Sequence, residues 1–227
     1  MRTSRAAAQS TRVMTTSPAL RHLLPIFESP LDRASLAYVA ALAALHPIEL
    51  ILLDVVSDEG LLDEADRRLT DLTSCATSDR VEVTKSIQIG ELAPTVADAA
   101  QMYGVDLISF VSDRSSDLDG GLNGDLATSL MQISDTPLLV VPPYELSLRP
   151  RVLVVDHGDV AATMDPFVGQ FVEATGGEMV LSDVEKTVPA VADAAQRGGA
   201  NLVVVSRADA ELFYGLRCNK LGVLVVG

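Results

Sequence analysis

Tryptophan is absent from this chain of 227 residues, and aromatic residues make up only 4% of it. A core without large rings must come from aliphatic side chains, and a 48% hydrophobic content supplies them, chiefly as Val, Leu and Ala. That composition suits helices layered on a parallel sheet, whose buried strands read as near-continuous aliphatic runs. Cysteine is scarce: Cys75 and Cys218 stand one in each half, in no CxxC spacing. With no secretory signal read at the N-terminus, this excludes a disulfide framework, and a reduced cytoplasmic setting is expected. The three histidines, His22, His46 and His157, are scattered, which excludes a zinc site assembled from His and Cys spacing. Long apolar runs are missing as well, and none approaches the ~20 residues a membrane span requires. Positive charge is in deficit, with 17 Lys and Arg against 31 Asp and Glu, a formal net charge of −14. Nucleic acid and anionic membrane, both bound by basic surfaces, are therefore excluded as main partners. The acidic surface reads as a means of staying soluble.

What is present is an internal repeat. Pro94 to Phe110 reads PTVADAAQMYGVDLISF, and 95 residues later Pro189 to Val205 reads PAVADAAQRGGANLVVV. Nine of these 17 positions are identical without a gap, through a helix, a turn glycine and the start of a strand. A match of that extent is duplication of a supersecondary unit.

Before the first copy, residues 1–17 carry three arginines and no acid. They read as a disordered tail or an upstream start with Met14 as the true start; a transit peptide has the same composition. From Leu20 the chain alternates strand and helix. Leu20 to Ile26 is a short apolar strand, and Ser29-Pro30 opens a helix with an N-cap and a first-turn proline. Leu36, Val39, Ala40 and Ala43 give that helix its apolar stripe. Ile48 to Val56 predicts a central strand. A second helix follows, with Leu61, Ala65, Leu69 and Leu72 at helical spacing and acids clustered at its start. Val81, Val83, Ile87 and Ile89 alternate with polar residues, predicting an edge strand with one wet face. The repeat unit then predicts helix 91–103 and strand 105–111, followed by helix 125–134 and a last strand from Pro137 to Val141. Pro142-Pro143 to Pro150 reads as a rigid linker.

The second half restarts with a strand at Arg151 to Asp156 and a helix from about Ala161 to Thr175. A strand near Glu178 to Leu181 leads directly into the repeated helix 188–198 and strand 201–206. A helical turn at Leu212 to Leu216 precedes a closing strand, Val223 to Val226. The second helix and the edge strand of the first half have no counterpart, so this half is a four-stranded contraction. Short right-handed crossovers resolve both halves as parallel sheets.

The first half resembles the universal stress protein family over residues 20 to 143. The blocks that carry the likeness are LLPIFESPLDRASLAYVAALA at 23–43, IGELAPTVADAAQMYGVDLISFVSDRS at 89–115 and GDLATSLMQISDTPLLVVPP at 124–143. The second half is similar to a contracted member. The resemblance implies two Rossmann-like, adenine nucleotide alpha hydrolase-like α/β domains in tandem, at 18–143 and 149–227, with five strands and then about four. It also implies pairing through the last strand of each copy, here as an intramolecular pseudo-dimer, with a homodimer as a further expectation.

Many members of that family bind ATP or AMP at the carboxyl ends of the strands, where doubly wound sheets hold ligands. The family pattern there is a glycine, two residues, a glycine, nine residues, then glycine followed by serine or threonine. Small residues let the backbone approach phosphate, and helix-start N–H groups hold it. This chain departs from the pattern. Ser112 and Ser115 stand for the first two glycines, Gly124-Asp125 stands for the final pair, and eight residues rather than nine separate Ser115 from Gly124. A carboxylate at Asp125 beside a phosphate costs about 1 kcal/mol even in bulk water at about 4 Å. Asp113, Asp117 and Asp119 add negative charge, with only Arg114 opposing them. The aspartate that ends the family's first strand aligns with Phe27. The second half keeps it as Asp156, which also reads as a turn-capping acid, but its phosphate loop has shrunk to SRADAELFYG with one glycine, Gly215.

The residues carried over as cofactor-binding candidates are Ser112, Arg114, Ser115, Gly121, Gly124, Asp125 and Asp156, with ATP or AMP as the nucleotide. The loop Asp117 to Asp125 lacks the sixth-position glycine and twelfth-position glutamate of an EF-hand, Thr128 standing at the twelfth, so a solvated loop is expected and no metal site. Asp156, His157 and Asp159 have no nucleophile at a recognisable spacing, and no catalytic residue is assigned. Both cysteines read as structural. The function expected is non-enzymatic: a cytoplasmic stress-response or regulatory protein with a degenerate nucleotide site, acting by binding another protein. The alternative is an ATP- or AMP-binding sensor with an altered phosphate loop.

Overall fold

A computed structural model describes residues 20–27, 29–43, 46–76, 81–111, 122–142, 149–155, 165–217 and 221–227. The first half runs β1 (Leu20–Ile26), α1 (Pro30–Ala43), β2 (Ile48–Val56), α2 (Leu62–Ala76), β3 (Val81–Ile89), α3 (Leu92–Tyr103), β4 (Leu107–Val111), α4 (Leu122–Ile133) and β5 (Leu138–Val141). The second runs β6 (Arg151–Val155), α5 (Pro166–Thr175), β7 (Glu178–Ser182), α6 (Val188–Gly198), β8 (Leu202–Ser206), α7 (Ala210–Arg217) and β9 (Gly222–Val226).

Among the described residues nine strands form one sheet in the order β3-β2-β1-β4-β5-β9-β8-β6-β7. Pairing is parallel within each half, as expected for strands joined by helical crossovers. The exception is the seam, where β5 and β9 run antiparallel with Leu139 opposite Leu224. Reading outward from that seam, the second half repeats the first strand for strand: β9, β8, β6 and β7 stand where β5, β4, β1 and β2 stand. Among the described residues nothing in it corresponds to α2 and β3.

Two apolar layers sandwich the sheet, and each runs through both halves. One joins Leu23, Phe110 and Leu130 to Val191, Phe213 and Val225 beneath α3, α4, α6 and α7. The other joins Leu24, Leu36 and Leu69 to Val168, Phe171 and Leu224 beneath α1, α2 and α5. Small alanines at Ala99, Ala100, Ala194 and Ala195 let the repeated helices lie close to the sheet.

The repeat is carried into fine geometry. α3 and α6 end at Gly104 and Gly199, with φ of 60° and 62°. In each case the next N–H reaches back into the helix, Val105 to the Ala100 carbonyl at 2.9 Å and Ala200 to that of Ala195 at 2.8 Å. This left-handed stop favours glycine, because a Cβ would crowd the carbonyl. At the start of the first strand of each half an arginine binds two partners. Arg21 donates its backbone N–H to Asp106 and its Nε to Glu49, at 2.9 and 2.6 Å. Arg151 does the same with Asn201 and Glu178, at 2.9 Å each. None of these six residues was singled out in the sequence, because no motif links positions so far apart.

Several local expectations shift. In α1 the buried stripe is Leu36, Val39 and Leu42, with Ala40 half-buried. Leu61 belongs to a short 3-10 turn and is exposed, while Ala76 joins Ala65, Leu69 and Leu72 beneath α2. β3 is the edge strand, but Ser86 is buried and receives the Tyr103 hydroxyl at 3.1 Å, while Ile89 lies exposed. α4 begins at Leu122, three residues earlier than predicted, and α7 is a helix of eight residues rather than a brief turn. Cys75 is exposed on the outer face of α2 rather than packed in a core; Cys218 lies outside the described residues.

Candidate functional site

The order of strands reverses between β1 and β4, and in a doubly wound sheet the crevice at that point, beyond the carboxyl ends, is where ligands sit. The crevice is present. β1 and β4 pair only at His22–Leu107 and Leu23–Ile108 and then part, leaving Ile26 and Val111 in no pairing with each other. Pro25, which has no N–H to give, lies in the parting stretch.

What fills the crevice comes from the chain itself. Phe27, directly after β1, meets Phe110 of β4 edge to face, ring centroids 6.1 Å apart. Both rings belong to the apolar layer under α3 and α4. Behind Phe27, Ser29 caps α1 by accepting the Leu31 N–H at 3.2 Å. Asp32, one turn in, accepts the N–H groups of Ser29 at 3.0 Å and of Phe27 at 3.2 Å. This is a capping box, Ser-x-x-Asp, in which the helix binds its own carboxylate. Asp32 is only 4% exposed. Burial raises its pKa above the usual carboxylate range against the pull of the two backbone donors, and neighbouring Asp54 raises it further. Asp54, at the end of β2, is in turn bound by Nε of Arg68 from α2 at 2.8 Å. Ser35, on the next turn of α1, accepts the Val111 N–H at 2.9 Å and ties the helix to the end of β4.

The arrangement leaves little for a phosphate to hold. At the start of α1 the Phe27 and Ser29 N–H groups are bonded to Asp32, the Leu31 N–H to the Ser29 hydroxyl and the Asp32 N–H to the Ser29 carbonyl, so an incoming anion would find these donors engaged and a buried carboxylate beside them. Outside the crevice, α1 and α2 bound a cleft of about 360 Å³ that includes Asp32, Arg33, Arg67, Arg68 and Asp71. Its lining carries three arginines and three acids, Glu64 among them.

In the second half the turn from β8 to α7 is only Arg207-Ala208-Asp209, closed by the Asp209 N–H on the Ser206 carbonyl at 2.9 Å. Arg207 turns toward the first half and donates to the carbonyls of Leu130, Met131 and Thr136 at 3.1, 3.3 and 2.9 Å. It thereby caps the carboxyl end of α4, whose last carbonyls lack helical partners. Desolvation lowers its pKa. Gly215, the one glycine of that shortened segment, lies inside α7, where a methyl group would run into Val188. It serves close packing of α7 on α6 rather than a phosphate.

Of the residues carried over from the sequence, Ser112, Arg114, Ser115, Gly121 and Asp156 lie outside the described residues. Gly124 and Asp125 fall in the first turn of α4, and the described geometry there is that of the backbone. The structure therefore brings together a different set: Phe27, Asp32, Ser35, Asp54 and Arg68. The capping box was legible at Ser29 and Asp32, three apart before an apolar run. Asp54 and Arg68, 14 residues apart on different elements, carry no sequence signal. Among the described residues no cluster of three or more His, Cys, Asp or Glu could hold a metal ion. Nor is any described helix long and apolar enough to cross a membrane.

No protein-family model matches the chain, and no curated protein matches it by sequence. Solved structures do. A universal stress protein from Archaeoglobus fulgidus DSM 4304 superposes with a TM-score of 0.60 at 15% identity, over 91% of this chain and 95% of that one. A functionally unknown protein from Pseudomonas aeruginosa PAO1 gives 0.62 at 13% identity, over 92% of each. The fold is thus a Rossmann-like α/β fold of the kind seen in universal stress proteins, spanning both halves of the chain.

Proposed function

We propose that this is a tandem universal-stress-protein-like regulator, its halves an intramolecular pseudo-dimer joined along β5 and β9, which acts in the cytoplasm by binding another protein. It carries out no catalysis, and its nucleotide site is degenerate. The observation that carries the reading is Asp32, whose buried carboxylate holds the Phe27 and Ser29 N–H groups at the mouth of the switch-point crevice. Phe27 against Phe110 supports it by filling the space beyond β1. In the second half, Arg207 is engaged in capping α4 and does not face a ligand.

The alternative, an adenine-nucleotide sensor, draws support from the parting of β1 and β4 and from the start of α4 at the same edge of the sheet. One experiment separates the two. With no tryptophan and four tyrosines the chain absorbs weakly, so one bound adenine would dominate the ultraviolet spectrum. Freshly purified protein should give a clean protein spectrum, release no nucleotide on denaturation by mass spectrometry, and show no thermal shift with ATP and Mg²⁺. A released nucleotide would overturn the regulatory reading. In that case Asp125→Ser should tighten nucleotide binding, and an unchanged affinity would place the site elsewhere.

A further inference from the structure

Among the described residues the sheet ends on one side at β7, and that edge is unlike its counterpart. β2, which occupies the same place in the first half, is paired with β3 from Ile48–Val81 to Val56–Ile89 and is almost wholly buried. Between β2 and the repeated helix the chain spends residues 57–91 on that cover; between β7 and its helix it has only 183–187. β7 reads EMVLS, with Met179 and Val180 half-buried and Leu181 51% exposed.

Its backbone directions are fixed. The Glu178 N–H goes to the Pro150 carbonyl on the β6 side at 3.0 Å. Because successive residues alternate, Val180 and Ser182 also face β6, while Met179 and Leu181 point their N–H and C=O groups off the sheet. An exposed apolar edge with unanswered backbone groups is a template for another strand.

We infer that the occupant is β7 of a second copy, running antiparallel about a two-fold axis at Val180. That register sets Met179 opposite Leu181 of the other copy, and each such pair exchanges two backbone hydrogen bonds, so all the outward groups of both residues are answered. It packs Met179 and Leu181 from both copies into one patch, sets Val180 against itself and puts Glu178 opposite Ser182. No like charges face each other, the arrangement that antiparallel pairing penalises. The same seam geometry, two strands antiparallel, already joins the halves at β5 and β9. The opposite edge differs: the Gly90 N–H goes to Val56, so the odd-numbered residues of β3 point their backbone groups outward, and Lys85 stands at the middle of that row, the kind of charge that guards an edge. The two-fold contact at β7 is isologous and closes as a dimer rather than a filament.

A five-residue edge is small, so the dimer is weak, and a net charge of −14 on each copy makes it salt-dependent. The test is sedimentation velocity on the full chain over a wide concentration range, in low and in physiological salt. The wild type should pass from monomer to dimer with concentration, and more readily in salt. Leu181→Lys, at an exposed position, should weaken the dissociation constant about tenfold or more. Leu181→Pro, which removes an outward N–H and leaves the β6 ladder intact, should do the same. Ile89→Lys, on the other edge, should leave association unchanged. A wild type that stays monomeric overturns the inference and leaves the edge to a strand of a different protein. So does a dimer untouched by both Leu181 variants, or one lost in Ile89→Lys.

Discussion

His22 gives the sharpest test of the buried sheet. It sits in β1 beside Leu50 of β2 and Leu107 of β4, is fully buried, and has no hydrogen bond at either ring nitrogen. Desolvation, with a smaller push from His46, lowers its pKa from 6.5 to about 4. A depressed native pKa means that the unfolded chain binds the proton more tightly. Stability is therefore full above the unfolded value of 6.5 and is lost as pH falls toward about 4. Between about pH 7 and about pH 5 this one group should cost the native state about 2 kcal/mol. His22→Leu removes the titration and the two unanswered nitrogens together. In urea unfolding the variant should lose about 2 kcal/mol less than the wild type over that interval, and should already be the more stable by about 1 kcal/mol at neutral pH. Histidine NMR should find His22 neutral well below the ordinary range. Parallel pH profiles for the two proteins, or a His22 resonance titrating near 6.5, would refute the reasoning.

Three further outcomes follow from packing and capping. Gly104→Ala and Gly199→Ala each force a methyl into a left-handed helix stop, and each should cost about 1–2 kcal/mol in urea unfolding, by similar amounts because the two stops share one geometry. Arg207→Ala removes two bonds to the end of α4 and one to the turn after it at Thr136 and should cost about 2 kcal/mol or more, with Arg207→Lys recovering only part because a single ammonium cannot span the three carbonyls. Gly215→Ala should destabilise by about 1–3 kcal/mol through collision with Val188, read as a lowered Tm, and Val188→Ala should relieve it in the double variant.

Much of the fold was legible because it is written locally. The aliphatic runs of β2 and β5, the Ser29-Pro30 helix start and the glycines at 104 and 199 act within a few residues of themselves, and their elements lie where periodicity puts them to within a few residues. The missing cover of β7 could be read from a count of elements. What sequence did not reveal depends on partners distant in the chain. Ser86 looks like a wet residue of an alternating strand until Tyr103 of α3 closes over it. Arg207 looks like a surface residue of a shortened phosphate loop until the end of α4 is seen to lie beside it. The site followed the same division. Phe27 was recognised where an aspartate was expected, but Asp32 supplies a carboxylate to the same turn from the following helix, and only geometry brings the two together.

The place of β9 bears on how the chain is made. It is the last of the nine strands to leave the ribosome, yet it lies at the middle of the sheet, between β5 and β8. Until it arrives, β5 has no strand on its outer side and no strand of the later half is paired with the earlier one. The nascent chain therefore carries an uncovered apolar edge through the synthesis of some 80 residues. A ribosome stalled before residue 222 leaves the sheet without its central strand. For this molecule the hazardous interval is the time between translating β5 and translating β9, and a holding chaperone would be of most use then.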